Sequence, residues 1–142
     1  KNIDRKLYEE VKKIAEINEF MKKEKLKDKQ IIGKAFGNGR DISPGYWQRL
    51  AIARMLYRNR DIFIMDEPFT FIDGSSRDRI LEKVLDFIGN DRTLIYVTSN
   101  TDVLDKFDRI FVLSNGKLVE EGNWKELIKK KGVLYKEAKY NI

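Results

Sequence analysis

The sequence contains neither cysteine nor histidine among its 142 residues. The lack of cysteine excludes a disulfide framework and a thiol nucleophile, and the lack of histidine excludes a Ser-His-Asp triad. Without either residue, the usual Cys/His zinc sites are excluded as well. Any catalysis by this chain must therefore rely on Asp, Glu, Ser, Thr, Tyr, Lys or Arg side chains.

Long apolar runs are also missing, since none exceeds five residues, whereas a helix that spans a bilayer needs about 20. The chain opens with polar residues and shows no signal-peptide pattern. We therefore expect a soluble domain that faces the cytosol. The net charge of +6 permits anionic partners without selecting a class of them, and the length predicts about one domain.

The first third of the sequence is predicted to be largely helical. Apolar residues at helical spacing, with Asp4 as N-cap, predict one amphipathic helix over residues 3–21. The lysine-rich residues 22–29 read as a solvated connector, because no aromatic residues interleave with the lysines. The glycine-rich residues 33–40 do not form a phosphate-binding loop, because their Gly-Lys pair is followed by Ala35 rather than Ser or Thr.

The rest of the sequence alternates helical and strand patterns. Short apolar runs without helical spacing are typical of strands buried on both faces of a parallel sheet. The predicted order is helix 46–58, strand 62–65, a helix ending at 88, strand 94–97, a short helix 102–106, a hairpin of strands 110–113 and 118–119, and a helix after Asn123. Strands alternating with helices predict an α/β fold with right-handed crossovers.

Two carboxylates follow the first predicted strand directly. Ligands bind at the carboxyl ends of the strands in open parallel sheets, which is where Asp66 and Glu67 stand. One carboxylate can hold Mg²⁺, usually through water, and the next can orient or deprotonate an attacking water. Taken alone, the pair fits a solvated turn before Pro68 better than a catalytic site.

Three motifs occur together in one order. The residues ISPGY at 42–46 precede Trp-Gln-Arg at 47–49, then come IFIMDEP at 62–68 and TFID at 70–73. This series resembles the ATP-binding cassette (ABC) family of ATPases, with its LSGGQ signature, Walker B strand and D-loop. The pattern of residues 110–122 and the final Leu-Tyr look like the end of an exporter-type cassette, so the resemblance covers essentially the whole chain.

The resemblance implies a fold and a domain arrangement. It implies a partial P-loop NTPase (RecA-like) parallel sheet, with an ABC helical subdomain over residues 1–58 and the C-terminal part of the ATPase core over 59–142. The family carries its Walker A loop, adenine-stacking aromatic and Q-loop glutamine ahead of these motifs. We therefore expect the chain to be a fragment of a longer ATPase that lacks the Walker A half.

The resemblance also assigns roles to five residues, with ATP and Mg²⁺ as cofactors. Asp66 resembles the carboxylate that supports Mg²⁺, and Glu67 resembles the general base. Asp73 resembles the D-loop residue that communicates between two cassettes. Ser43 and Gly45 resemble the signature positions that contact the γ-phosphate of ATP held by the opposite subunit. A helix N-terminus suits that contact, because its free N–H groups favour anions.

Three positions depart from the family pattern. Pro44 replaces a glycine and removes one backbone N–H, and a hydrogen bond to a charged group is worth about 1.5–3 kcal/mol. Tyr46 replaces the signature glutamine. Ser99 occupies the place of the switch histidine, which touches the γ-phosphate region, and serine can donate a hydrogen bond but cannot become cationic. Tyr46 and Ser99 therefore remain candidate nucleotide-binding and catalytic positions, respectively, with reduced competence.

The resemblance implies a nucleotide-binding domain of a transporter that couples ATP binding and hydrolysis to substrate translocation. Its implied partners are a second cassette in a head-to-tail dimer and a transmembrane domain, which would place the protein on the cytoplasmic side of the cell membrane. No nucleic-acid partner is expected. The alternatives are a degenerate, non-hydrolysing cassette that regulates or completes a heterodimer, and an ABC ATPase that acts outside transport. By itself, the chain is expected to lack ATPase activity.

Overall fold

A computed structural model describes residues 3–33, 37 and 39–140. The chain divides into two compact units, Lys1–Val97 and Thr98–Ile142. The subdomain boundary that the sequence suggests near residue 58 stays a prediction. Half of the glycine-rich stretch, residues 34–36 and 38, lies outside the described residues.

Three helices open the first unit: α1 Arg5–Ile14, α2 Ile17–Lys23 and α3 Pro44–Tyr57. The Asp4 side chain caps α1 as predicted, because it accepts a hydrogen bond from the backbone N–H of Leu7 at 3.0 Å. The single helix expected over residues 3–21 is wrong. It breaks at Glu16, whose φ of 53° lies in the left-handed region, and α2 begins directly after it.

A βαβ unit completes the first unit. Strand β1 Ile62–Asp66 and strand β2 Thr93–Val97 pair in parallel, from Ile62 opposite Thr93 to Asp66 opposite Val97. Helix α4 Gly74–Ile88 connects them. A parallel pair needs such a crossover, because a tight turn cannot return the chain in the same direction. The predicted α/β class with a parallel sheet is confirmed.

The two faces of β1 differ in their exposure. Phe63 and Met65 are buried, at 2% and 4% exposure, whereas Ile62 and Ile64 are 60% and 64% exposed. Ile95, which pairs with Ile64, is 48% exposed on the same face. The expectation of a strand buried on both faces is therefore wrong for the structure described here, and one side of the parallel pair presents an apolar surface.

The second unit contains a hairpin and helices. Strands β3 Ile110–Ser114 and β4 Lys117–Gly122 pair antiparallel, which confirms the predicted hairpin. A 3₁₀ helix, Thr101–Lys106, precedes them, and α5 Trp124–Lys130 and α6 Val133–Tyr140 follow. Asn123 caps α5 in a capping box, and the core contains Ile110, Leu127 and Leu134. Of the helices in the described residues, none is both long and apolar enough to cross a bilayer.

Candidate functional site

The acidic pair lies at the carboxyl edge of the parallel strands. Asp66 is the last residue of β1 and is exposed. Glu67 follows with a φ of 41°, a conformation that costs a non-glycine residue about 1–3 kcal/mol and persists only where its surroundings enforce it. The Glu67 N–H donates to the Val97 carbonyl at 2.9 Å. The Glu67 carbonyl accepts from Thr70 Oγ1 at 3.1 Å and from Gln48 Nε2 at 3.3 Å. These bonds fix the backbone that carries the carboxylates.

Gln48 ties α3 to the segment after the acidic pair. Its Nε2 donates to the Glu67 carbonyl, and its Oε1 accepts from the Phe71 N–H at 2.9 Å. One partly buried side chain thus satisfies two backbone groups at opposite ends of the turn between Glu67 and Phe71. The Trp-Gln-Arg motif at residues 47–49 does not predict this bridging role, because the partners of Gln48 lie far along the chain.

The start of α3 packs closely on the same turn. A β-carbon on Gly45 would stand 2.5 Å from the Phe71 carbonyl oxygen, so only glycine fits without a backbone shift. The preceding Ser43 is the N-cap of α3, is exposed, and makes no side-chain capping hydrogen bond. Pro44 is the first helical residue and leaves one N–H fewer at this end. The structure therefore brings the signature segment (residues 42–46) against the D-loop segment (residues 70–73).

Asp73 is the N-cap of α4. Its carboxylate accepts hydrogen bonds from Ser75 Oγ at 2.7 Å and from the Ser76 N–H at 2.9 Å. These bonds, with that from the Ser75 hydroxyl the largest cause, hold the pKa of Asp73 below its ordinary value. The carboxylate therefore stays ionised and is directed at its own helix in this structure.

Tyr46 packs into the helical part of the first unit. Its ring stacks on Phe20 of α2, and the Arg49 guanidinium lies 5.9 Å from its ring centroid. Burial is the main cause that raises the pKa of the Tyr46 phenol. The side chain at the position of the signature glutamine is therefore engaged with Phe20.

Ser99 belongs to the second unit, where it is exposed and stands just after the end of β2. The other candidate residues all lie in the first unit. Gly45 thus packs on the D-loop segment, and Gln48 ties that segment to Glu67, whereas Ser99 lies in the other unit.

The acidic pair borders a cavity between α3 and β1 of about 400 Å³. Among residues 3–33, 37 and 39–140, no three acidic side chains come together as a metal-binding group. An all-protein cage is therefore not the kind of site present in this part. Mg²⁺ is usually held by one or two carboxylates, with water and substrate phosphates as its other ligands. The exposed Asp66 carboxylate at a strand end fits that partial donor set.

Comparison with known proteins identifies the family of this chain. A family model described as ABC transporter matches residues 2–70. The Beta-(1→2)glucan export ATP-binding/permease protein NdvA of Bartonella quintana is 35% identical over 130 residues, which are 92% of this chain and 21% of the relative. The Glutathione/L-cysteine transport system ATP-binding/permease protein CydC of Haemophilus influenzae is 39% identical over 98 residues, which are 69% of this chain and 17% of the relative.

A solved structure shares the fold. The structure of a bacterial Atm1-family ABC exporter with ATP bound superposes with a TM-score of 0.79 at 23% identity, and the match covers 99% of this chain and 24% of that one. The fold is thus of the P-loop NTPase type. The chain belongs to the ABC transporter family, and it corresponds to part of the nucleotide-binding domain of exporter-type members. Membership implies a nucleotide as the ligand class, and the chain spans under a quarter of each protein named here.

Proposed function

We propose that the protein containing this chain is an ABC ATPase that couples ATP binding and hydrolysis to the movement of a substrate across a membrane. The observation that carries the proposal is the hydrogen bonding of Gln48 to both Glu67 and Phe71. Through that side chain, the start of α3, the acidic pair and the D-loop segment form one fixed group. Such preorganisation is what electrostatic catalysis requires.

In this proposal, each residue has one task. Asp66 supports Mg²⁺, which would neutralise charge on the phosphates when bound. Glu67 orients the attacking water and accepts its proton, a role worth about 10²–10⁴ in rate. The pinned left-handed backbone at Glu67 supports this assignment, since strain of this kind clusters at functional sites.

The remaining tasks concern a second cassette. Ser43 and the N–H groups that follow it would contact the γ-phosphate of ATP held by a head-to-tail partner, and Asp73 would communicate between the two sites. Ser99 would stand in for the switch residue. The other partner is the transmembrane domain of a transporter, which places the ATPase on the cytoplasmic face of the membrane. The relatives named above are described as ATP-binding/permease proteins, which supports this arrangement.

A degenerate cassette that binds nucleotide without efficient hydrolysis is the second candidate. The engagement of Tyr46 with Phe20 favours it, because this side chain is not free to act as the signature amide would. Pro44 favours it as well, since it removes a donor from the helix end that would face the phosphate.

Phosphate release by the intact protein tests the proposal and separates the two candidates. Glu67→Gln keeps the shape of the side chain and removes its basicity, so turnover should fall about 10²–10⁴-fold if Glu67 is the base. Glu82→Gln, on the exposed surface of α4, is the matched control. If Glu67→Gln leaves turnover unchanged, the hydrolytic role is wrong. If turnover rises only after Pro44→Gly and Ser99→His are combined, the degenerate cassette is the better description.

A further inference from the structure

One carboxylate connects three segments of the first unit. Glu16 stands between α1 and α2, in the left-handed conformation that ends the first helix. Its side chain is only 13% exposed. The cations that bond to it come from two other helices: Arg49 of α3, and Arg79 and Lys83 of α4.

Both oxygens of Glu16 are shared between cations. Oε2 accepts from Arg49 Nη1 at 3.1 Å and from Arg79 Nη2 at 3.3 Å. Oε1 accepts from Arg79 Nε at 3.1 Å and from Lys83 Nζ at 3.0 Å. Arg79 therefore binds in the two-pronged geometry that fixes direction as well as distance. The carboxylate holds α3 and α4 in one relative placement.

The hydrogen bonds extend from Glu16 towards both the D-loop segment and the signature segment. Arg79 Nη2 also donates to Ser76 Oγ at 3.0 Å, and the Ser76 N–H donates to the Asp73 carboxylate at 2.9 Å. On the other side, Arg49 lies one helical turn after Gly45. A chain of direct bonds thus runs from the Asp73 cap through Glu16 to the first turns of α3.

Glu16 acts as a fixed charge rather than as a pH switch. Burial works to raise its pKa, but the bonds from Arg79, Lys83 and Arg49 outweigh burial and lower the pKa to about 2. Arg49 is itself only 12% exposed, and its Nη1 also donates to the Ala15 carbonyl at 3.3 Å. Loss of the carboxylate would leave a poorly compensated buried cation.

We infer that Glu16 is a positioning residue that sets the start of α3 against the Asp73 cap of α4, and so sets the signature segment against the D-loop segment. The placement itself follows from the contacts above. Its consequence for turnover rests on the proposed function, because only an ATPase would need the signature and D-loop segments at a fixed relative position. A purely stabilising ion cluster would change the amount of folded protein and leave the placement intact.

Spin labels can measure that placement directly. The chain has no cysteine, so Ala51→Cys on α3 and Asp86→Cys on α4 give a single labelled pair, and both positions are exposed. In the folded chain, Glu16→Gln should shift the interspin distance by about 1–2 Å or broaden its distribution, which is the usual scale of helix shifts. Glu19→Gln, an exposed acid in the first turn of α2, should leave it unchanged.

Two further variants keep the test decisive. Arg79 is 53% exposed and Arg49 remains as a partner of Glu16 without it, so Arg79→Met should fold even if Glu16→Gln does not. It should alter the distance in the same way, and adding it to Glu16→Gln should cause little further change. An unaltered distribution in a folded Glu16→Gln or Arg79→Met protein overturns the inference.

Turnover by the intact protein gives the functional readout. Glu16→Gln should lower kcat by roughly ten- to a hundredfold, because small misplacements of contacting groups have effects of that size, and should leave KM for ATP nearly unchanged. If activity falls only in proportion to the amount of folded protein, so that kcat per folded molecule is unchanged, the positioning role is wrong. If the unsubstituted protein has no turnover, the proposed function fails, and the spin-label distances alone decide the inference.

Discussion

The Phe71 carbonyl oxygen lies 2.5 Å from the point at which a β-carbon on Gly45 would stand. The first turn of α3 and the turn after β1 are therefore in backbone contact, with no side chain between them. Gly45 is not required here for a left-handed conformation or a tight turn. It is required because two backbones approach so closely that a side chain would not fit between them.

Gly45→Ala should destabilise the protein by about 1–2 kcal/mol. The added methyl group would force a backbone shift, and overpacking of this kind outweighs the helix propensity of alanine. Gly74→Ala is the matched control, since it also stands at a helix start and its β-carbon would meet only Arg77 Nη2 at 3.9 Å. The control should be neutral or slightly stabilising. Urea unfolding measures both, and equal stability of the two variants would contradict the contact.

Gln48→Met should lower the free energy of unfolding by about 1–2 kcal/mol. The substitution keeps the length of the side chain but removes the donor to Glu67 and the acceptor for Phe71, and each bond contributes about 0.5–1.5 kcal/mol. Trp47→Phe, at the neighbouring exposed position, should change stability by less than about 0.5 kcal/mol. Equal effects of the two substitutions in urea titrations would show that Gln48 does not bridge the segments.

The charge of Glu16 should make stability depend on pH. Its pKa is lowered from 4.5 to about 2, so its contribution is complete above pH 4.5 and is lost as the pH falls towards 2. At pH 7, Glu16→Gln should lower the free energy of unfolding by about 1–2 kcal/mol. This is less than the free energy that corresponds to the full pKa shift, because Arg79 and Lys83 are about half exposed and their charges are screened by solvent.

The difference in stability between the unsubstituted protein and Glu16→Gln isolates the contribution of the Glu16 carboxylate. Other carboxylates titrate in both proteins and cancel, so the gap in urea midpoint should close between pH 4.5 and pH 2. The cations that face Glu16 are Arg49, Arg79 and Lys83. A gap that stays constant down to pH 2 would mean that the carboxylate carries no special stabilisation.

The ion pairs of Glu16 and the approach of Gly45 to Phe71 could not be predicted from the sequence. Strand and helix patterns are local, so β1, α4, β2 and the hairpin could be predicted from apolar spacing and turn residues, and the family motifs could be placed on them. The break at Glu16 could not, because the apolar series continues across it and its partner Arg79 lies 63 positions away. Only the Asn18 in that series, where the spacing asks for an apolar residue, hints at the break. The approach of Gly45 to Phe71 is non-local in the same way.

The exposed side of β1 should promote self-association of the chain. Ile64 is 64% exposed beside Ile95, and apolar surface of this kind favours association. Ile64→Thr keeps a β-branched residue in the strand and should reduce concentration-dependent association, with a stability change of about 0.5 kcal/mol or less. Phe63→Ala, one position earlier on the buried side, should instead cost about 3–5 kcal/mol. Sedimentation over a concentration series checks the first effect and urea unfolding the second. A chain that stays monomeric throughout would contradict this prediction.

The 142-residue chain should bind ATP only weakly. A phosphate cradle needs a glycine-rich loop whose N–H groups surround the phosphates and a lysine that reaches the β- and γ-phosphates. The sequence contains no G-x-x-x-x-G-K-[ST] motif, so the carboxylates Asp66 and Glu67 have no such cradle in this chain to complete a nucleotide site. Calorimetric titration with Mg-ATP should therefore give no saturable heat at micromolar nucleotide. Saturable binding with one ATP per chain, abolished by Asp66→Asn and retained by Asp61→Asn, would contradict this prediction and would show that the acidic edge of β1 binds the nucleotide by itself.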